Sequence, residues 1–467
     1  MRSRPPPLRP ASRALPARRF VTRLALAALL VLGGHAAAAA PPHVVVLLAD
    51  DLGWDDVGYH GSEIPTPSID ALAREGVRLE HFYTLPTCSP TRAALLTGRH
   101  PLRLGLQVGV VMPWARWGLP ESERTLPEAL GEAGYRSLMV GKWHLGHARA
   151  SQLPRARGFE HFYGNYLGAV DYFTHRRDGG LDWHRDGEPV DEPGYATFLL
   201  ANEAMRMIRA HDPAQPLFLF VSFTAPHAPL EAPAQYVARH ASIRDRDRRR
   251  YAGMVTAMDE AVGRIVAVLR ERGMADDTLV LFASDNGAIA RYGGRNDPLR
   301  GGKTELYEGG VRVPAVVVWP GRLPAGAVVD APIHVVDWYP TLLALAGAPL
   351  EQPRPVDGID VSDLLAGAPA PEREMLYDVV GRRGAIRVGR WKLVRGPAGV
   401  ELFDLDADPE EAHDLAISRP DAVRRLSARL DAWAARSVRP AYDPSEEEGF
   451  VPPAIWGPPA SAGSDGG

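Results

Sequence analysis

Two pairs of oxygen-bearing side chains follow strongly apolar runs of this sequence. Asp50 and Asp51 come directly after one run, and Asp285 and Asn286 come directly after another. Their side chains supply oxygen ligands, which a hard cation such as Ca²⁺ or Mg²⁺ prefers. Neighbouring side chains on a regular strand point to opposite faces, so both members of a pair can serve one ion only where the strand ends and turns. The pattern predicts a metal site; the alternative is that the pairs only form turns and caps.

Five further side chains are potential cations in a sequence that is net acidic beyond residue 40. If residues 141–145 are extended, Lys142 and His144 share one face, because side chains alternate along a strand. Cations around an anionic group stabilise the negative charge that develops as the group is transferred. Taken singly, each is equally well a solvated surface charge or a buried, hydrogen-bonded ring. The five are Arg92, Lys142, His144, His227 and Lys303.

Cys88 is the only cysteine among the 467 residues, so the chain forms no internal disulfide and no zinc site built on several cysteines. Residues 88–97 are predicted to form a short helix that ends at Gly98, with the thiol at its N-terminus. Free backbone N–H groups and the positive end of the helix dipole suit an anionic group there. The alternative for a lone cysteine is a small buried hydrophobic residue.

The elements that must position these residues alternate between strands and helices. Three apolar runs lack the alternation of a half-exposed strand, which predicts strands buried on both faces of a parallel sheet. We therefore predict a doubly wound α/β domain, with a large mixed sheet flanked by helices, and ligands at the carboxyl ends of the strands. The predicted strands are residues 44–49, 217–223 and 278–284, and the predicted helices are residues 68–75, 125–133 and 251–272.

The composition of the sequence changes near residue 350. Two proline-rich loops precede short strand-like runs and a helix predicted over residues 421–436, which indicates a smaller α+β subdomain with a short antiparallel sheet. The last residues are rich in Pro, Gly, Ser and acidic side chains, a composition typical of a mobile segment. The predicted organisation is a signal peptide at 1–40, a catalytic α/β domain at 41–365, an α+β subdomain at 366–439 and a mobile tail at 440–467.

Charge separates the N-terminus from the rest of the chain. Residues 1–40 hold seven arginines and no acidic residue, so removing those charges from the net −4 leaves −11 for the remainder. This balance argues against a nucleic-acid or anionic-membrane surface. The arginine-rich start, the apolar residues 24–32 and the small residues up to Ala40 are typical of an export signal, and the apolar run is too short to span a bilayer. We expect an exported protein, periplasmic or secreted, without a stable membrane anchor.

Six short motifs occur in an order that resembles the type I sulfatases. The segments around Cys88 and His144 are the most specific, because they match the two signatures of that family. The resemblance covers residues 43 to about 435, and residues 81–109 and 164–175 look most like the arylsulfatase B branch, the N-acetylgalactosamine-4-sulfatases. The motifs are ADDLG at 49–53, CSPTR at 88–92 with LTGR at 96–99, MVGKWHLG at 139–146, APHAP at 225–229, SDNG at 284–287 and GGK at 301–303.

This resemblance implies a sulfuric ester hydrolase that acts on a sulfated saccharide or an aryl sulfate. It also implies a formylglycine-generating maturation enzyme, which oxidises Cys88 to formylglycine, and a nucleophile that is the hydrate of that aldehyde. Position 88 would join the metal ligands Asp50, Asp51, Asp285 and Asn286. Calcium is expected rather than magnesium, because magnesium tends to keep several waters.

The resemblance further implies roles for the remaining site residues. Asp285 would accept the proton of the attacking hydroxyl, and His144 would deprotonate the second hydroxyl of the hydrate. His227 is expected to protonate the leaving oxygen in preference to Lys303. The residues expected to hold the aldehyde hydrate or the sulfate are Arg92, Lys142, His227 and Lys303.

Three other functions fit part of the pattern. A phosphonate monoester or phosphodiester hydrolase of the same superfamily uses the same modified cysteine and a similar metal set. An inactive sulfated-glycan-binding relative would not need every site residue. A simple cysteine hydrolase is disfavoured, because His144 and His227 lie beside metal motifs. Thr91 stands where the family more often has serine, and it keeps the hydroxyl group.

The charged residues 244–250 are expected to form a solvated loop or the start of a helix.

Overall fold

The structure is a computed structural model that describes residues 41–458, so the predicted signal peptide at 1–40 and the last residues, 459–467, lie outside the described residues. The described strands are β1 (His43–Ala49), β2 (Val77–Leu79), β3 (Phe82–Tyr83), β4 (Arg136–Gly141), β5 (His161–Gly164), β6 (Arg176–Arg177), β7 (Gly180–Leu181), β8 (His184–Arg185), β9 (Glu188–Pro189), β10 (Leu217–Ser222), β11 (Thr278–Ser284), β12 (Ala315–Val318), β13 (Ala327–Val329), β14 (Ile333–His334), β15 (Glu374–Val380), β16 (Arg383–Val388), β17 (Trp391–Gly396) and β18 (Gly399–Asp404). The described α-helices are α1 (Pro67–Glu75), α2 (Cys88–Thr97), α3 (Leu126–Glu132), α4 (Ala196–Ala210), α5 (Ala234–Ala238), α6 (Arg246–Glu271), α7 (Glu308–Val311), α8 (Trp338–Ala346), α9 (Ser362–Leu365) and α10 (Pro420–Ala434).

A ten-stranded mixed sheet forms the centre of the described chain, in the order β13-β2-β12-β11-β1-β10-β4-β5-β8-β9. Its middle strands run parallel, with Leu47 of β1 opposite Val221 of β10 and Phe282 of β11. Every residue of these three strands is buried, which is why their sequences do not alternate. The predicted doubly wound α/β fold is confirmed.

Helices cover both faces of this sheet. On one face Val45 and Leu47 of β1 pack in a core shared with α1, α4 and α6. On the other face Val46 and Leu48 pack in a core shared with α2, α3 and α8. Burying each such side chain contributes roughly 1.5–3 kcal/mol. The two cores therefore fix the strand ends on which the site residues stand.

The predicted helices are present, with shifted ends. α3 follows Thr125, whose N–H donates to Glu128 Oε2 at 2.7 Å. α6 begins at Arg246, well before the predicted residue 251, because Asp245 Oδ1 caps it by accepting the Arg248 N–H at 2.7 Å. The charged run is thus the first turn of α6, and Arg248 is buried rather than solvated. Within residues 41–458, none of these helices combines the length and the apolar character needed to cross a bilayer.

A second, antiparallel sheet of β15, β16, β17 and β18 follows, and α10 packs on it through Leu426 and Leu430. This arrangement matches the smaller α+β unit that the sequence predicts. Lys392 of β17 contacts α7, which lies outside this second sheet: the Lys392 Nζ is 2.8 Å from Glu308 Oε1. Glu411 Oε1 lies 2.9 Å from the same ammonium group. We call these three residues the inter-sheet cluster.

Residues 440–458, which we call the C-terminal strap, pack against the body of the chain, whereas the sequence predicts a mobile tail from residue 440. Trp456 is 3% exposed. Its backbone N–H donates to Leu181 O at 2.9 Å and its indole Nε1 to Arg177 O at 2.8 Å. These contacts do not follow from the composition of the segment, because they depend on one large aromatic side chain and on a surface distant in sequence. The mobility of the tail stays a prediction.

Candidate active site

The candidate site lies at the carboxyl ends of the central parallel strands. Asp50 and Asp51 follow β1, while Asp285 and Asn286 follow the adjacent strand β11, so the two pairs meet at one edge of the sheet. All four side chains are buried. The Asp51 N–H donates to Asp285 Oδ1 at 3.2 Å, and Asn286 Nδ2 donates to Asp51 Oδ1 at 2.7 Å. The structure therefore brings both predicted pairs together.

Asp51 has a backbone conformation that is rare for a non-glycine residue. Its φ is 66°, in the left-handed region, where the chain turns sharply after β1. That turn lets Asp50 and Asp51 reach the same place although they are adjacent in sequence. Ligand atoms of Asp50, Asp51, Cys88 and His227 all lie within 4.8 Å of one another. A cluster of this size can surround one ion.

Each of the three carboxylates has a cationic partner. Lys142 Nζ lies 2.6 Å from Asp50 Oδ2, and Lys303 Nζ lies 2.7 Å from Asp51 Oδ1. The Arg92 guanidinium is fully buried and donates to Asp285 Oδ2 from Nε at 3.1 Å and from Nη2 at 2.8 Å. Buried charges are tolerated only when they are paired and hydrogen-bonded, and this pairing meets that requirement.

The environment moves the pKa values of these carboxyl groups in opposite directions. Burial alone would raise the pKa of Asp51, but the nearby Lys303 ammonium group outweighs it and lowers this pKa to about 2. Burial, reinforced by the Asp50 charge, raises the pKa of Asp285 to about 6 despite Arg92. In this charge state Asp51 is firmly anionic, whereas Asp285 is the carboxylate that accepts a proton more readily.

Cys88 is the first residue of α2, as predicted, and the helix ends at Gly98. Its buried Sγ donates to Asp50 Oδ1 at 3.3 Å. Burial, together with the charges of Asp285 and Asp50, raises the pKa of the thiol far above its usual range. An unmodified thiolate is therefore disfavoured here, which argues against the simple cysteine hydrolase considered from the sequence.

The two histidines present free ring nitrogens. His144 Nε2 lies 3.0 Å from Val111 O, so this nitrogen carries the proton, and Nδ1 is buried without a hydrogen-bond partner in residues 41–458. His227 Nδ1 lies 2.6 Å from Ala228 O, which leaves Nε2 at 3.7 Å from Asp51 Oδ2. Burial, with the nearby cations, lowers the pKa of His144 well below its usual value and that of His227 to about 3. Both rings are neutral in this charge state.

The segment around Lys142 and His144 is not extended, although the sequence argument placed both on one face of a strand. β4 ends at Gly141, whose φ is 107° and whose missing Cβ would lie 1.8 Å from Ser222 O. His144 itself has a φ of 58°. The chain turns twice, because only glycine allows the close approach at Gly141. Both side chains still reach the site, by a route that strand periodicity does not describe.

Sequence reasoning missed the residues that hold Asp51 in place. The Tyr251 hydroxyl of α6 bonds with Asp51 O at 3.0 Å and with Asp56 Oδ2 at 2.7 Å. Arg248, one turn earlier, pairs with Asp56 Oδ1. The sequence offered one weak indication, an acidic side chain six positions after Asp50 in a turn-forming segment. The partners on α6 carry no local pattern that points to the site.

A cavity of about 530 Å³ opens above this cluster. Cys88, His144, His227 and Lys303 line its floor, while aliphatic residues 108–113 form much of its wall. Buried carboxylates of metal-ligand type, cations around them and an open cavity at the strand ends define the class of protein. It is an α/β protein whose site has the charges and the space to take a cation and an anionic ligand.

Comparisons with known proteins give the family. The Sulfatase family model matches residues 42–348, and the model "N-sulphoglucosamine sulphohydrolase, C-terminal" matches residues 302–434. The chain belongs to the sulfatase family, whose members are sulfuric ester hydrolases. The predicted membership of the type I sulfatases is confirmed, while the resemblance to the arylsulfatase B branch stays a prediction.

Individual relatives cover most of the chain. Arylsulfatase J of Mus musculus is 34% identical over 88% of this chain and 79% of its own length. N-acetylgalactosamine-6-sulfatase of Canis lupus familiaris is 36% identical over 74% of this chain and 70% of its own. The crystal structure of Ps i-CgsB in complex with k-i-k-neocarrahexaose has a TM-score of 0.83 and 32% identity, covering 87% of this chain and 96% of that one.

Proposed function

We propose that this sulfatase is exported and cleaves sulfate esters of sulfated sugars with a calcium ion and a formylglycine made from Cys88. The observation that carries the proposal is the buried set of Asp50, Asp51, Cys88 and His227, whose ligand atoms fall within 4.8 Å beneath an open cavity. The arginine-rich, then apolar N-terminal sequence supports export to the periplasm or the medium.

The donor set fits a calcium ion. Asn286 Oδ1 is buried without a hydrogen-bond partner in the described part of the chain, and it belongs to the same cluster as Asp51. An unpaired buried oxygen is costly, and a cation would satisfy it. Asp50, Asp51, Asp285, Asn286 and the side chain at position 88 would hold the ion. When bound, the metal neutralises sulfate oxygens and lowers the pKa of the attacking hydroxyl. Elemental analysis should find calcium, and stoichiometric zinc without calcium or magnesium would contradict this assignment.

Formylglycine at position 88 fits the same geometry. The Cys88 Sγ lies 3.3 Å from Asp50 Oδ1, at the N-terminus of a buried helix, where backbone N–H groups favour oxygen atoms with negative charge. We infer that a maturation enzyme acts on the segment before it folds, because the folded chain buries Cys88. The hydrated aldehyde would supply two hydroxyl groups. One would attack sulfur and break the bond between sulfur and the ester oxygen, which leaves as the protonated alcohol; deprotonation of the other would re-form the aldehyde and expel sulfate.

The chain's own residues would manage the protons and charges of this reaction. Asp285, whose pKa is raised, accepts the proton of the attacking hydroxyl. His144 has a free Nδ1 suited to accept the proton of the second hydroxyl. Arg92 and Lys142, which are fully buried and do not line the cavity, would hold the hydrate. Lys303 and His227, which line the cavity, would hold the sulfate together with Lys142.

The general acid is assigned to His227 in preference to Lys303. Because the ring is neutral and its Nδ1 faces Ala228 O, His227 must first take up a proton at Nε2 to fill this role. Loss of an acid slows poor leaving groups more than good ones, because a good leaving group departs without a proton. We expect His227→Ala to lose more rate on a sulfated sugar than on 4-nitrophenyl sulfate. If Lys303→Ala shows that pattern and His227→Ala does not, the assignment passes to Lys303.

Saccharide sulfates are the proposed substrates, because two of the relatives have sugars in their names: N-acetylgalactosamine-6-sulfatase and a structure complexed with a neocarrahexaose. The test is turnover of matured protein on a panel of sulfated saccharides, side by side with an aryl phosphodiester and a phosphonate monoester. Faster turnover of the phosphorus esters would favour the related hydrolase activity. Binding of the saccharides without any turnover would favour an inactive glycan-binding protein.

A further inference from the structure

The mouth of the active-site cavity holds a cation that the proposed chemistry does not use. Arg177 lines the same cavity as Cys88 and Lys303. Its side chain is 37% exposed, and its Nε donates to Asp178 Oδ2 at 3.2 Å. Within residues 41–458 the two terminal nitrogens of this guanidinium have no hydrogen-bond partner. Such a free pair of N–H groups matches the geometry of a carboxylate or a sulfate.

The rest of the cavity favours a ligand with more than one negative charge. In the described part of the chain, no carboxylate lines the cavity, whereas Arg177 and Lys303 both do. The volume of about 530 Å³ exceeds what a single sulfate group needs and lies in the range of roughly 300–1,000 Å³ that is typical of ligand sites. If the reacting sulfate lies at Lys303, the guanidinium remains free for a second anion.

The C-terminal strap holds the backbone of this arginine. Arg177 belongs to the two-stranded β6–β7 hairpin, and Trp456 Nε1 donates to Arg177 O at 2.8 Å. The Leu181 N–H donates to Ala454 O at 2.9 Å, so the strap runs beside β7 like a third strand. Tyr442 of the strap also lines the cavity. These contacts hold the backbone of Arg177, which lowers the entropic cost of binding, while ordering the free guanidinium tip still adds to that cost.

We propose that Arg177, positioned by the C-terminal strap, binds a second anionic group on the non-reacting part of a sulfated saccharide. The group is a second sulfate or a uronate carboxylate. This inference rests on the proposed function and narrows its substrate class to saccharides with at least two negative charges. Arg177 thus selects the substrate and takes no part in the chemistry at sulfur.

Binding to protein that cannot turn over tests the subsite directly. In a Cys88→Ala background, calorimetry compares a monosulfated N-acetylhexosamine, the same sugar with a second sulfate, and a monosulfated disaccharide with a uronate. Arg177→Gln should weaken binding of one doubly charged ligand by about ten-fold, the worth of a charge-assisted hydrogen bond, and leave the singly charged sugar unaffected. The ligand affected identifies the group as sulfate or carboxylate.

Arg176 provides the matched control, because it is the preceding residue of the same hairpin, is exposed, pairs with Asp191 at 3.3 Å and does not line the cavity. Arg176→Gln should leave all three affinities unchanged. Equal losses for singly and doubly charged ligands in Arg177→Gln, or no loss for any, would overturn the proposal. So would equal effects of the two arginine variants.

Turnover separates this inference from the proposed function. In matured protein, Arg177→Gln should raise KM for the doubly charged saccharide and leave kcat on 4-nitrophenyl sulfate unchanged. Trp456→Phe, which removes the indole donor to Arg177 together with part of a buried ring, should raise the same KM to a smaller extent; an equal change for both substrates would refute the positioning role. If the charge discrimination in binding persists without any turnover, the proposed function fails and the subsite stands. If turnover occurs without charge discrimination, the subsite fails and the proposed function stands.

Discussion

Two buried clusters in the described part of this molecule pair acidic side chains with cations, and only one of them, the active-site cluster, borders a cavity. In the inter-sheet cluster, Lys392 joins Glu308 and Glu411, the Tyr83 hydroxyl also donates to Glu308 at 2.8 Å, and the charges are enclosed. The active-site cluster pairs three carboxylates with three cations, yet it leaves Asn286 Oδ1 without a partner among the described residues and borders a cavity.

The difference separates a structural contact from a reactive one. In the inter-sheet cluster Lys392 is shared by two acids, and burial raises the pKa of Glu411 to about 7. The charges of Lys392 and Arg312 outweigh the effect of burial at Glu308 and lower its pKa. In the active site, by contrast, the cluster borders a cavity of about 530 Å³ that has room for a ligand. Buried charge alone does not identify a site; a buried charge cluster that borders an open cavity does.

The largest expected effect comes from Asp51→Ala, which removes a proposed metal ligand and leaves Lys303 without its partner. We expect kcat/KM to fall to the background level. Calcium should raise the thermal unfolding midpoint of the parent protein and should not raise that of the variant, because ligands that bind only the folded state stabilise it. Parental activity in this variant would exclude Asp51 as a ligand.

Lys392→Met should act on stability rather than on chemistry. It removes the ammonium group that joins Glu308 to Glu411, and breaking a buried pair this way typically costs about 3–5 kcal/mol. Urea unfolding measures this loss, while kcat/KM per folded molecule should stay at the parental value. Arg390→Gln is the control, since its pair with Asp404 is exposed on the arginine side and is worth little. A Lys392→Met protein that is stable but inactive would contradict the structural role assigned to the inter-sheet cluster.

Lys303→Ala and His227→Ala should both slow the reaction. Lys303→Ala should also lower the stability of calcium-free protein, because it leaves the buried Asp51 without its cation. Removing one electrostatic donor from a transition state typically costs on the order of 100- to 1,000-fold in kcat. A lower kcat at constant KM indicates contact made in the transition state, and a higher KM alone indicates ground-state binding. Rates within a few-fold of the parent for both variants would show that neither Lys303 nor His227 contributes to catalysis.

The smallest effect is expected from Tyr251→Phe, which keeps the ring but loses the hydroxyl bonds to Asp51 O and Asp56. A hydrogen bond of this kind is worth about 1 kcal/mol. Calcium affinity, followed as the shift of the unfolding midpoint with calcium concentration, should therefore weaken by about five-fold. Tyr236→Phe, whose hydroxyl donates to Glu260 away from the site, should leave calcium affinity unchanged. Equal behaviour of the two variants would exclude a positioning role for Tyr251.

The central strands and the residues at their ends can be predicted from the sequence, because strand burial produces a local pattern of apolar residues. Unbroken apolar runs identify β1, β10 and β11, and the acidic pairs after β1 and β11 meet because parallel strands end at one edge. The helix α2 is also predictable from local sequence, because Gly98 marks its C-terminal end. Cys88 then falls at its N-terminal end.

The sequence fails where long-range contacts decide. Nothing near Arg248 shows that it will be buried against Asp56, which lies on a different element. The turn at Gly141 depends on the close approach of Ser222 O, and His144 also has a positive φ. Strand periodicity therefore names Lys142 and His144 together but wrongly predicts that the segment between them is extended. The C-terminal strap depends on Trp456, whose burial needs a partner surface far away in the sequence.

The most direct test of the central claim is the mass of the tryptic peptide of residues 79–92, taken from protein that is active on a sulfate ester. Cys88 is its only sulfur-containing residue. We predict that the peptide lacks sulfur, carries an aldehyde and reacts with a hydrazide reagent, in proportion to the activity of the preparation. Cys88→Ala should be folded and inactive in any host. An active preparation in which Cys88 is wholly an alkylatable thiol would contradict the formylglycine mechanism.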